Sequence, residues 1–191
     1  SLEFMCQSGD GLSAVRYPRD NVSPRLADRD CPPFELGKAR LLRAADDPDV
    51  AVLAFGTLAL TALDAAESLA DEYRVSVYDA RFAKPVDASL VRDLLTRCVP
   101  IVTVEDHGVI GGFGAAVLES AQELGLDASR VVRLGLPDAW VYQDSRGRQL
   151  AEVGLDSAGI ARAIRAAAEL PPMRIPVEAK PDRQACRPQT P

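Results

Sequence analysis

Glu105, Asp106 and His107 stand in a row, and glycines follow at 108, 111, 112 and 114, all within the stretch TVEDHGVIGGFGAAV. Two carboxylates beside an imidazole are the groups of general acid–base catalysis, since histidine exchanges a proton near neutral pH. Glycines between a strand and a helix can close backbone N–H groups around a phosphate. Neither chemistry is complete here. No serine or cysteine nucleophile stands at a recognisable elbow. Counting from Gly112, the third glycine of G-x-G-x-x-G falls on Val117, and no G-K-[ST] follows. Two acids at a strand end would also repel a phosphate, by about 1 kcal/mol or more each at short range. Glu105, His107, Gly111, Gly112 and Gly114 therefore read as a structural loop. Its glycines let the chain turn sharply and start a helix close to its neighbours, and Glu105 is expected to accept the loop's free N–H groups. No catalytic residue, cofactor contact or metal ligand is assigned on these grounds. The chain has one histidine, and Cys6, Cys31, Cys98 and Cys186 include no C-x-x-C pair, so a zinc site is not expected. The acids of ADDPDV (45–50) read as a hairpin turn rather than a cation site.

Composition narrows the classes further. The 191 residues are 47% hydrophobic and carry a net charge of −6, which suits one α/β domain with extra material at its ends. An acidic chain is a poor partner for nucleic acid or an anionic membrane, because both need a basic face. No apolar run approaches the roughly 20 residues that span a bilayer. SLEFMCQSGDG has neither a basic leader nor a long apolar core. Reduced thiols and a cytoplasmic setting are the expectation.

The elements that must carry the loop follow from periodicity. LEFMCQS (2–8) reads as the last turns of a helix whose beginning is absent, so the sequence is expected to continue something longer upstream. SAVRYP (13–18) reads as a short strand. Proline, aspartate and arginine dominate 19–34, as in a linker. KARLLRAA and DVAVLAFG, separated by DDPD, read as strands that pair antiparallel. Thr57 can cap a helix whose inner face is Leu58, Ala62, Ala65 and Leu69. RVSVYDARF (74–82) is a strand, and Pro85 and Asp87 open a helix with Leu90, Val91, Leu94 and Leu95 inward. VPIVTVED (99–106), nearly all apolar, is a strand covered on both faces. After the glycines comes a helix facing inward through Phe113, Val117, Ala121 and Leu124. RVVRLGL (130–136) is another strand, AWVYQD is irregular, and SAGIARAIRAAAEL is a closing helix. Such alternation implies parallel strands joined by crossovers. The proline-rich end, 171–191, has no apolar period and is expected to be disordered.

Six segments, SAVRYPRDN, AVLAFGT, YDARFAKPVD, VTVEDHGVIGGFGAAV, RLGLPDAWV and LAEVGLDSAGI, occur in the order found in the C-terminal third of 1-deoxy-D-xylulose-5-phosphate synthases. The resemblance runs from about Leu2 to Ala168. The glycine segment resembles the whole transketolase and E1-β superfamily, whereas RFAKPVD, and GLPD followed by GLDSAGI, favour the synthases. The resemblance implies a three-layer α/β domain with a mostly parallel five-stranded sheet, one strand antiparallel. It places the tail end of a pyrimidine-binding domain at 1–21, a linker at 22–36 and a transketolase C-terminal-like domain at 37–170. It also implies a homodimeric enzyme that uses thiamine diphosphate and Mg2+, both bound upstream of this segment. Such an enzyme joins pyruvate to glyceraldehyde 3-phosphate with loss of CO2. The segment alone would be inactive and would dock on its own upstream domains and a second subunit. Arg19 matches the arginine that contacts the substrate phosphate, although Asp20 stands where the family has glycine. The residues leave two alternatives open: the equivalent domain of a transketolase or 2-oxo acid dehydrogenase β subunit, or a stand-alone interaction module.

Overall fold

In the computed structural model the described residues are 2–7, 11–15, 17, 23, 25 and 31–171. Helix α1 (Leu2–Gln7) precedes β1 (Arg40–Arg43), β2 (Val50–Phe55), α2 (Leu58–Ser68), β3 (Val75–Asp79), α3 (Ala88–Thr96) and β4 (Ile101–Gly108). Then come α4 (Phe113–Glu123), β5 (Val131–Leu136), α5 (Arg146–Glu152) and α6 (Ser157–Ala168). The strands form a five-stranded sheet in the order β1-β3-β2-β4-β5, with β1 antiparallel and the others parallel.

Side chains alternate across a strand, so the apolar VAVLA of β2 must be covered on both sides. Val50, Val52 and Ala54 pack with α2 and α6 on one face; Ala51 and Leu53 pack with α3 and α4 on the other. The result is three layers. The chain runs from β2 to β3, then crosses back over β2 to reach β4. Successive crossovers of one hand then put α2 and α3 on opposite faces. The carboxyl ends of β2 and β4 therefore lie side by side where the strand order reverses, the place where open α/β sheets form their crevice.

Three sequence expectations are corrected. The first strand does not form a hairpin with the second: Arg40, Leu41 and Arg43 of β1 pair with Asp79, Tyr78 and Val77 of β3. Both edges of β2 are already taken by its parallel ladders to β3 and β4, and RLLR, with Leu41 50% exposed, suits a sheet edge. The DDPD turn is held by Arg74 instead, whose N–H and Nε donate to Asp49 Oδ2 at 2.8 and 3.3 Å and whose Nη2 donates to Oδ1 at 2.7 Å. These bonds hold the Asp49 carboxyl below its ordinary range. Second, Thr57 stands at the N-cap position of α2 with helical dihedrals and makes no side-chain cap. Third, residues 13–15 and 17 of the expected first strand form no strand; no ladder partner is there to satisfy their backbone groups. Arg16 and Pro18 lie outside the described residues, as does the proline-rich end from 172 onward.

Asp87 caps α3, accepting from Leu90 N at 3.0 Å, and its other oxygen accepts from Ala39 N, also at 3.0 Å, so one carboxylate joins the start of α3 to the approach to β1. Burial alone would raise its pKa. Hydrogen bonds from Ser89, Ala39 and Leu90 together with the Lys38 charge outweigh that, and the carboxyl sits below its ordinary value. Asp87→Ala should therefore cost about 1–2 kcal/mol at neutral pH. Because the folded-state pKa is lowered, the wild-type advantage is complete above about pH 4 and lost as pH falls through the lower folded value. Denaturant unfolding of both proteins at pH 7 and pH 3 should show the gap narrowing; an unchanged gap would mean that the charge contributes nothing.

Candidate functional site

The period of two along β4 decides which way each residue of the Glu-Asp-His row points. Val102 and Val104 face α2 and α6, while Ile101 faces α3 and α4. Glu105, of the same parity as Ile101, points at the start of α4 and is fully buried. Its Oε2 accepts from Phe113 N at 2.6 Å and its Oε1 from Gly114 N at 2.8 Å. Backbone N–H groups at a helix start carry the positive end of the helix dipole, and here the chain's own carboxylate fills that position. An incoming phosphate would have to displace a charge already seated there.

The glycines around Glu105 have separate physical reasons. Gly111 has φ 70°, in the left-handed region. Gly112, the N-cap of α4, has φ −89° and ψ −164°, which any residue can adopt; what excludes a side chain is proximity. A Cβ on Gly112 would collide with Glu105 Oε2 and Gly108 O. A Cβ on Gly114 would lie 2.5 Å from Thr103 Oγ1 and 2.9 Å from Arg133 Cγ.

His107 shares a face with Glu105. Its Nδ1 lies 3.7 Å from Glu105 Oε2, too far for a hydrogen bond. Its ring packs on Phe55 at 5.6 Å between centroids, and Phe55 stacks on Phe113 at 5.3 Å with 13° between planes. Asp106 points the other way. Its Oδ2 accepts from Arg146 Nη2 at 2.6 Å, and the same Nη2 donates to Thr57 Oγ1 at 3.0 Å. The strand thus divides the three-residue row: Glu105 and His107 lie on the α4 side, and Asp106 on the side of α2 and α5. They do not form one acid–base cluster. Arg146 and Thr57 complete the crevice at the strand-order reversal, and sequence reasoning did not single out Arg146. Its helix, RGRQLAE, lacks an apolar period, and nothing in the spacing links it to Asp106, 40 residues away. Arg19 lies outside the described residues. Among the described residues, no three His, Cys, Asp or Glu side chains converge as metal ligands.

Two variants test the internal capping. Glu105→Gln keeps the shape but offers one oxygen for two N–H groups, leaving a buried donor unmet at a cost of about 1–3 kcal/mol. Gly112→Val should cost a comparable amount, roughly 1–3 kcal/mol, by pushing a branched side chain into the carboxylate. Because both act on one contact, their effects should fail to add in a double-mutant cycle read by denaturant unfolding. Parent-like melting of both single variants would show that this carboxylate does not anchor the helix.

The geometry has counterparts. The family described as transketolase, C-terminal domain, matches residues 37–160. A 1-deoxy-D-xylulose-5-phosphate synthase of Anaeromyxobacter sp. (strain Fw109-5) is 48% identical over 161 residues, covering 82% of this chain and 25% of that protein. The synthase of Synechococcus sp. (strain JA-2-3B'a(2-13)) is 42% identical over 162 residues, covering 84% of this chain and 24% of its own length. The chain thus spans about a quarter of the curated relatives it matches. Among solved structures, a split-gene transketolase described as an inactive β4 tetramer superimposes with TM-score 0.61 at 31% identity, over 71% of this chain and 43% of that one. A transketolase from Leishmania mexicana shares the fold, with TM-score 0.54 at 21% identity over 69% of this chain and 18% of that one. The chain belongs to the transketolase C-terminal domain family, in the form that resembles 1-deoxy-D-xylulose-5-phosphate synthases.

Proposed function

We propose that this chain is the C-terminal part of a thiamine-diphosphate-dependent synthase that condenses pyruvate with glyceraldehyde 3-phosphate to 1-deoxy-D-xylulose 5-phosphate and CO2. The observation that carries the proposal is identity of 40–48% to several such synthases over more than four fifths of the chain. Within the enzyme, residues 37–170 form an assembly domain. They dock on the upstream domains and a second subunit, and residues 22–36 link them to the end of the preceding domain.

The implied cofactor does not fit the glycine loop. The N–H groups of Phe113 and Gly114 are occupied by Glu105. The proposal puts thiamine diphosphate and Mg2+ in the upstream part of the enzyme and assigns no catalytic step to this segment. Its one proposed substrate contact is Arg19, whose planar guanidinium suits the phosphate of the aldehyde.

A chimera tests the reading. Placing this chain in the corresponding quarter of the Anaeromyxobacter synthase should give a folded enzyme that still makes 1-deoxy-D-xylulose 5-phosphate from pyruvate and glyceraldehyde 3-phosphate. A chimera that folds but loses this activity would count against the synthase reading. In the active enzyme, Arg19→Ala should lower kcat/KM for glyceraldehyde 3-phosphate about 10- to 150-fold, the equivalent of a lost charge-assisted hydrogen bond of roughly 1.5–3 kcal/mol. Turnover of the unphosphorylated aldehyde should barely change. An equal loss with both acceptors would remove Arg19 from the phosphate.

A further inference from the structure

Nothing in the sheet requires the first residue of the segment RFAKPVD. Arg81 follows β3 with φ 56°, a left-handed conformation that a side-chain-bearing residue keeps only where its surroundings enforce it. Asp79 Oδ1 accepts from its N–H at 3.1 Å. With the backbone so turned, the guanidinium points at residues 31–35. Its Nη1 donates to Pro33 O at 3.2 Å and its Nη2 to Pro32 O at 3.1 Å, with Cys31 Sγ 3.5 Å away. The guanidinium carbon lies 4.4 Å from the centre of the Phe34 ring, within the range of a cation–π contact.

Residues 31–35 have few other holds. Pro32 and Pro33 carry no N–H and cannot join a ladder as donors. Apart from the turn in which Lys38 N donates to Glu35 O at 3.0 Å, every hydrogen bond from 31–35 to the sheet domain comes from Arg81, among the described residues. A cleft of about 440 Å³, lined by Pro32, Pro33, Glu35, Lys38, Arg40 and Arg81 among others, lies between this segment and β1. The apolar side of the same junction is three phenylalanines. Phe34 meets Phe82 at 6.0 Å and Phe4 of α1 at 6.0 Å, and Phe4 meets Phe82 at 5.8 Å.

We infer that Arg81 is a positioning residue: a clasp that fixes residues 31–35, and with them Phe34 of the phenylalanine cluster that seats α1, against the end of β3. It holds the segment by which the upstream chain enters the domain, alongside the contacts of Phe4 with Phe82 and of Arg25 with Asp64. This inference rests on contacts within the chain and stands apart from the synthase reading. Lysine cannot replace Arg81, since an ammonium has no planar fork to span two carbonyls while lying flat on a ring.

The discriminating variant is Arg81→Gly, which removes the clasp and also relieves the left-handed backbone. In the 191-residue chain, its core should melt at or above the parent temperature. Limited chymotryptic cleavage after Phe34 and Leu36, read by mass spectrometry, should meanwhile accelerate about tenfold or more, as expected when the charge-assisted hydrogen bonds that hold the segment are lost. Amide exchange in peptides from β2 should stay as in the parent. Arg81→Lys should accelerate the same cleavage while leaving the core unchanged. Unchanged cleavage at 34–36 in both variants would make Arg81 a turn residue only. Acceleration there only in step with exchange in β2 would make it a general stabiliser, and a parent already cleaved there as fast as a free peptide would show that nothing is clasped. Each of these three results overturns the inference.

Discussion

The carboxylate of Glu105 occupies the amino end of α4, and the surrounding geometry is arranged to let it do so. A strand residue can reach a helix start only if strand parity aims it there and the helix backbone comes within hydrogen-bond distance. The first condition is met by the alternation that buries Ile101 on the same face. The second is met by residues without side chains at 112 and 114, where a Cβ would strike Glu105 itself or Thr103. Phe113 is held between them, buried and stacked on Phe55 of the neighbouring strand. One buried anion thus fixes the loop, the first turn of α4 and the contact between β2 and β4. A buried carboxylate without partners would be expensive; this one has two charge-assisted hydrogen bonds and the helix dipole to compensate for lost water.

The same strand end shows how an internal charge network can close a crevice that this type of sheet usually offers to a ligand. On the α4 side the anion is held by backbone N–H groups. On the other side Asp106 is held by Arg146, which also reaches Thr57 at the start of α2. Arg146 is the first residue of a short helix without a fully buried residue, which also packs on the core through the partly buried Leu150. The crevice is therefore used to tie three segments together, which suits a domain whose proposed work is assembly rather than chemistry.

What could be read from the sequence was whatever is written in short-range periodicity. VPIVTVED announced a strand covered on both faces, and Leu90, Val91, Leu94 and Leu95 announced the inner face of α3; of these four the last three are buried and Leu90 is partly so. Five strands with one antiparallel followed from family resemblance, and the sheet has that composition. The partner of β1 could not be read the same way. A turn signal such as DDPD says that the chain bends, but not whether the following strand already has both edges occupied. Arg146 and Arg81 were invisible for a related reason. Each acts through atoms about 40 residues or more distant in sequence, and neither sits in a pattern that repeats. Thr57 shows the opposite error: a good capping residue at the right position whose hydroxyl is engaged elsewhere.

The antiparallel placement of β1 also dictates an order of assembly. β1 leaves the ribosome before β2, α2 and β3, yet its only ladder in the described sheet is with β3. Until β3 exists and has joined β2, the two leucines of RLLR have no surface to cover. They wait between Arg40 and Arg43, charges of the kind that keep an unpaired apolar strand from sticking to another copy. Closing so long a loop comes at an entropic cost that grows only slowly with length, so the delay is tolerable. It makes β1 a strand that can join only after β3 has paired with β2, and the first that a nascent chain must keep from pairing with the wrong neighbour.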